Sequence, residues 1–176
     1  MVASLGDDLR ELQQQLCRGS LQRAYGSILD YMAQLRLHFA RIHGERAVSA
    51  LYQGRFDMTY FALFPPALRS RGLKLAVVFD YTSFAFEIWL AARNRPLQRR
   101  YRRLLSDNGW SKHRLVEPAV GIDAIVRVEV TDALALEETE ALTVRIEAAA
   151  QALLDDLGCF LDTHDPPQAA SRPGSL

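Results

Sequence analysis

Phe84-Ala85-Phe86-Glu87-Ile88-Trp89-Leu90-Ala91-Ala92-Arg93-Asn94-Arg95 is the stretch whose reading decides the fold. It is the most apolar segment of the chain, and it runs directly into the most basic one. At strand periodicity Phe84, Phe86, Ile88 and Leu90 share one face, and Ala85, Glu87 and Trp89 share the other. Glu87 is then the one ionisable side chain in an otherwise apolar strand. Leu73–Phe79 lies just upstream, and the short link Asp80–Ser83 makes the two runs an antiparallel hairpin. Met58–Phe64 is apolar on both faces, which predicts a third strand covered on both sides. Pro65 ends it and holds Phe64 extended. Pro66, with Gly72 six residues on, suggests one helical turn between strands. Ala124–Val130 alternates and reads as a fourth strand; the competing reading is a helix with Ile122, Ile125, Val126 and Val130 as its stripe.

Helices flank this sheet. Leu5, Leu9, Leu12 and Leu16 recur at helical spacing, with Ser4 as N-cap, Gly19 as stop, and Asp7 and Asp8 in the first turn, where the helix dipole favours acids. A longer helix from Leu21 to Ile42 follows, with Gly44 past its end. The two make a helical pair whose exposed face could receive a second copy of the chain. Ala47–Leu51 suggests a short helix before Gly54. A helix begins near Pro96 with Leu97, Tyr101, Leu104 and Leu105 as its stripe, ending at Asp107–Gly109. The last helix spans about Leu136–Leu161, with Glu137, Glu138 and Glu140 crowding its start. The expected architecture is α+β: a three- or four-stranded, mainly antiparallel sheet packed with helices, an N-terminal helical pair and a long C-terminal helix. Residues 1–162 form one domain, with the helical pair at 1–44, the sheet and basic helix at 55–131 and the C-terminal helix at 132–162. The Pro/Ser/Ala-rich residues 163–176 read as a disordered tail.

The chain has 176 residues and a formal net charge of zero, so nothing global draws it to nucleic acid or an acidic substrate. Cys17 and Cys159 show no paired spacing and read as buried free thiols of a reducing compartment. The acids in the first helix argue against a secretory leader, and no apolar run suits a membrane span. Lys74 and Lys112 are the only lysines; a coding bias towards arginine explains most of that. The charges are nonetheless segregated. Arg93 to Arg114 contains eight basic residues and one acid, whereas Glu129 to Asp165 contains ten acids and one base.

Arg93 and Arg95 stand at the start of a helix, where the dipole disfavours cations. Backbone N–H groups there would face the same volume as the guanidinium groups, which suits a phosphate, carboxylate or sulfate. Glu87 offers a charge partner at the strand's exit, and Asn94 a further polar group. Trp89 and Arg99 complete the expected ligand-binding set of Glu87, Trp89, Arg93, Asn94, Arg95 and Arg99. No catalytic constellation is recognisable. Asp80 and Glu87 flank a hairpin as in a metal-dependent nuclease, but Trp89 occupies the position that would need lysine. His38, His43, His113 and His164 lack metal-ligand spacing, and no cofactor motif occurs.

Asp57-Met58-Thr59-Tyr60-Phe61, Pro65-Pro66 with Leu68, Gly72-Leu73-Lys74, Phe86–Ala91 and Asn94-Arg95, followed by Gln98, Tyr101 and Trp110, together resemble a family of small bacterial proteins classed as a domain of unknown function. Ala92 stands where that pattern has glycine. The resemblance implies a shared fold and a bacterial, cytoplasmic setting, and brings no activity. The sequence thus favours a non-enzymatic interaction or ligand-binding module with an anion site at the end of the central strand, taking a small anion or an acidic protein partner. A nucleic-acid-associated protein using residues 95–105 is the first alternative. A small-molecule enzyme using Glu87 as acid or base, with Tyr60 or Tyr101 nearby, is the second. A homodimer through the N-terminal helices is compatible with each, and no membrane role is expected.

Overall fold

The computed structural model describes residues 4–118 and 123–166. Its strands are β1 (Tyr52–Gln53), β2 (Met58–Leu63), β3 (Leu73–Asp80), β4 (Ala85–Ala92), β5 (Arg114–Leu115) and β6 (Ala124–Asp132). They form one sheet in the order β1-β2-β3-β4-β6-β5, with every neighbouring pair antiparallel. The sheet has more strands than expected because β1 and β5 are two-residue edge pieces, too short to show any alternation. The strand reading of 124–130 holds over its helical competitor, extended by two residues to Asp132.

The helices are α1 (Leu5–Arg18), α2 (Ser20–His43), the short α3 (Pro66–Arg69), α4 (Arg95–Asp107) and α5 (Thr139–His164). Glu45–Ala47 forms a 3₁₀ turn, and Val48–Leu51, suggested as part of a short helix, is not helical. A second 3₁₀ turn, Ala133–Glu138, precedes α5, started by the Asp132 carboxylate accepting from the Leu134 N–H. Glu137 and Glu138 therefore lie ahead of α5, and of the three acids only Glu140 is in its first turn. The helix runs to His164, into the segment expected to be tail; residues 167–176 of that segment lie outside the described residues.

β4 is buried along its whole length. Phe86, Ile88, Leu90 and Ala92 join the main core with Leu75, Val77 and Phe79 of β3, Met32, Leu35 and Phe39 of α2, and Ile146, Leu153 and Leu157 of α5. Tyr101 and Leu105 bring α4 onto the same core. A smaller cluster on the other face unites Ala76, Val78, Trp89 and Ala124, with Met58 and Tyr60 packed beside it. Phe84 departs from expectation. It occupies the turn at φ 54° and is exposed rather than on the core face, because the reversal from β3 needs a left-handed residue there.

Candidate anion-binding cleft

The site begins where hairpin β3–β4 ends. Gly72 and Arg93 face each other across the two strands, and the Arg93 N–H donates to the Gly72 carbonyl at 3.0 Å. Gly72 holds φ 70°, and a Cβ there would stand 2.8 Å from Leu97 Cδ1 and 3.3 Å from Arg93 Nε. Glycine is needed for the turn and for the close approach of α4. Beside this crossing opens a cleft of about 480 Å³ lined by Arg71, Gly72, Arg93, Arg100, Tyr101 and Asp165, among others. A neighbouring recess of about 290 Å³ shares Gly72 and Arg93 and adds Arg69 and Lys74. Five cations thus line two adjoining hollows, with one carboxylate among them.

That carboxylate is held tightly. Asp165 follows the last turn of α5, and its Oδ2 accepts from the Tyr101 hydroxyl at 2.8 Å. Its Oδ1 accepts from Arg100 Nη2 at 2.8 Å, and Arg71 Nε stands 3.4 Å from Oδ2. Arg71 also donates to the Asp165 carbonyl from Nε and Nη2, at 3.2 and 2.7 Å, and to the Ala67 carbonyl from Nη1 at 2.8 Å. Only 8% of the Arg71 side chain is exposed, so this guanidinium is fixed in place by its carbonyl acceptors. Burial, reinforced by the hydrogen bond to Asp165, pushes the Tyr101 phenol up to about 12. Arg93, exposed at the shared wall, differs from Arg71 and Arg100 in having no hydrogen-bond or ion-pair partner among the described residues.

The residues expected from sequence divide into two groups. Arg93 lies in the cleft. Asn94 is a helix cap: its Oδ1 accepts from the Leu97 N–H at 3.0 Å. Together with Pro96, which has no N–H, this uses up donors that had been expected to face an anion. Arg95 turns to Gln98, donating from Nη1 to Oε1 at 2.9 Å; buried Gln98 in turn donates to the Ala124 carbonyl at 3.0 Å. Arg99 is exposed on the next turn.

Glu87 and Trp89 lie elsewhere, on the opposite face of the sheet from the helices. Six residues of strand separate Glu87 from Arg93, about 20 Å. Glu87 accepts from the Ser83 hydroxyl at 3.0 Å and from the Trp89 indole N–H at 2.5 Å. Its nearest cation is Arg127, at 3.9 Å, which also stands 3.5 Å from Asp80 and 4.0 Å above the Trp89 ring. The buried Arg127 Nε has no hydrogen-bond partner among the described residues. The expected pairing of Glu87 with the arginines beyond β4 is thus replaced by a separate cluster drawn from β3, β4 and β6.

The two charged segments do touch. Arg100 meets Asp165, and Lys112 and His113 meet Asp156; Arg71, from outside the basic segment, approaches Asp162 at 3.7 Å. Arg102 is held by the Val116 carbonyl and by Glu117. Arg99 and Arg103 remain as the unpaired arginines of α4 among the described residues. Lys112 and, less strongly, His113 hold the Asp156 carboxyl below its ordinary range. Both cysteines, expected to be buried, are exposed, since each falls on the outer side of its helix.

Sequence reasoning missed Arg71 and Asp165. One signal was available for Asp165: an acid at a helix C-terminus opposes the dipole and calls for a cation. Nothing local marked Arg71, which enters only through the tertiary meeting of α3 with the end of α5.

A single antiparallel sheet with helices packed on one face and a cationic cleft at the hairpin's end defines the class as an α+β domain. The chain matches, over residues 5–161, the family described as a domain of unknown function (DUF7000), and it belongs to that family. Comparison with curated proteins and with solved structures gave no match. No described helix is long and apolar enough to cross a membrane.

Proposed function

We propose that the protein binds a small, multiply charged anion in the cleft between hairpin β3–β4, α4 and the end of α5. The observation that carries this reading is the Asp165 carboxylate, received by Arg71, Arg100 and Tyr101 beside a free Arg93. The protein already contains an assembled carboxylate receptor, and a further cation waits at its wall. A volume of about 480 Å³ is in the range of small-molecule sites. The density of guanidinium groups favours a phosphorylated or polycarboxylate compound over an apolar one. Arg93 would take the anionic group nearest the hairpin, with Arg69 and Lys74 as the extension for a second.

Nucleic acid is less well supported, because Arg100 and Arg102 are occupied within the protein. An acid/base role for Glu87 is less well supported as well, because both of its oxygens already accept hydrogen bonds in a buried setting. The test is thermal unfolding against chloride, phosphate, pyrophosphate and citrate at constant ionic strength. The multiply charged anions are expected to raise Tm in a saturable way, and Arg93→Ala is expected to lose most of that rise. Equal shifts in wild type and variant would overturn the assignment.

A further inference from the structure

Asp165 is an acid at a position that disfavours one. It follows the last turn of α5, where the helix dipole presents its negative end. Its N–H donates to the Leu161 carbonyl at 2.8 Å, and Arg71 holds its carbonyl from Nε and Nη2, at 3.2 and 2.7 Å. These backbone contacts place residue 165 without calling on its carboxylate. The carboxylate nevertheless turns into the cleft and takes Arg100 and Tyr101, each at 2.8 Å. It thereby fills the donors best arranged for an anion from solution, while Arg93 on the same cleft has no partner among the described residues. Arg71, Arg93, Arg100 and Tyr101 all lie within the residues that match the family, 5–161, and Asp165 lies beyond them.

Given the anion reading of the cleft, on which this rests, we infer that Asp165 is an internal competitor: its carboxylate sits where one anionic group of the ligand belongs, and the ligand binds by displacing it. The class of compound able to do this carries two anionic groups. One pairs with Arg93, and the other takes over Arg100 and Tyr101, which line the same cleft. Arg100 and Tyr101 exchange one anion for another, so neither is left without an acceptor. The released carboxylate passes into water, which it already meets, since the Asp165 side chain is 21% exposed. Occupancy of the cleft is in this way coupled to the hold on the end of α5. Linkage makes the coupling reciprocal: whatever draws the Asp165 carboxylate out of the cleft raises affinity for the anion by the same factor.

Isothermal titration of inorganic pyrophosphate into wild type, Asp165→Asn and Asp162→Asn at about 0.15 M salt tests the competition. Asn keeps the shape of Asp165, and Arg71 still holds the backbone carbonyl, so the far-UV spectrum is expected to be unchanged. Affinity is expected to rise at least about tenfold in Asp165→Asn, within the usual range of couplings between sites. Asp162→Asn removes the same charge from the same helix end, but from an exposed side chain 3.7 Å from Arg71; a gain below about threefold is expected there, since exposed charges interact weakly. A second measurement needs no altered ligand site. With the aspartate carboxyls of wild type labelled with ¹³C, the signal that is missing from Asp165→Asn is expected to move to the position of solvated aspartate at saturating pyrophosphate. Equal affinity in wild type and Asp165→Asn, an equal gain in Asp162→Asn, or a carboxyl signal that stays in place on saturation would overturn the competition and leave the anion site standing. No saturable binding by wild type or Asp165→Asn would overturn the anion site and the competition together.

Discussion

Tyr101→Phe removes one donor from the Asp165 carboxylate and leaves the ring in the core. The hydroxyl donates at 2.8 Å, and a hydrogen bond to a charged acceptor is worth about 1.5–3 kcal/mol. Arg71 and Arg100 still hold Asp165 in the variant, so the lower end applies, about 1.5 kcal/mol at neutral pH. For a chain of this size that is roughly 3–6 °C in Tm. The difference should also depend on pH, and its direction follows from the phenol. Tyr101 is raised from its ordinary 10.0 to about 12 in the folded protein. Below pH 10 both folded and unfolded states keep the proton, and the hydroxyl contributes in full. Between 10 and 12 the unfolded chain gives up its proton first, so wild-type stability falls and the variant has no matching loss. At pH 11 the linkage amounts to about 1.4 kcal/mol, enough to erase most of the advantage. Urea unfolding of both proteins at pH 7.5, 9, 10 and 11 measures this directly. The other tyrosines titrate in both proteins and cancel in the difference. A stability difference that stays flat with pH, or is absent at pH 7.5, would refute the reasoning.

Asn94→Ala is expected to cost about 1 kcal/mol of stability through loss of the cap and to leave anion affinity nearly unchanged, which unfolding and titration together would separate. Arg127→Ala leaves Asp80 and Glu87 facing each other without their cation; a loss of about 2 kcal/mol or more is expected in urea unfolding, since removing one partner of a buried ionic group is costly. Gly72→Ala is expected to destabilise by at least about 1 kcal/mol, from a left-handed backbone and the contact with Leu97, and to weaken anion binding by displacing Arg93.

The sheet was legible because β2, β3, β4 and β6 carry their pattern in consecutive residues: the Phe86–Leu90 alternation and the Asp80–Ser83 link settle the hairpin without tertiary information. α1, α2 and α4 were equally plain from their stripes and caps. Phe84 was misplaced because a strand pattern cannot show that its first residue must turn left-handed. The cleft was half legible. Arg93 stood out as a cation against the helix dipole, and the structure places it at the cleft's wall. Glu87 was joined to it on proximity in sequence, but a strand carries residues apart at more than 3 Å each. Its true partners come from Ser83, Trp89 and a strand forty residues on. Asp165 and Arg71 meet only because the end of α5 docks beside α3, a consequence of core packing that no local pattern records.

The central claim is that the Arg93 cleft receives an anion. Isothermal titration of inorganic pyrophosphate into wild type and Arg93→Ala at about 0.15 M salt, where loose surface attraction is screened, tests it most directly. The expected result is saturable binding of one anion per chain, weakened at least about tenfold in the variant, a difference of about 1.4 kcal/mol. No saturable heat with wild type, or the same isotherm with both proteins, would contradict it.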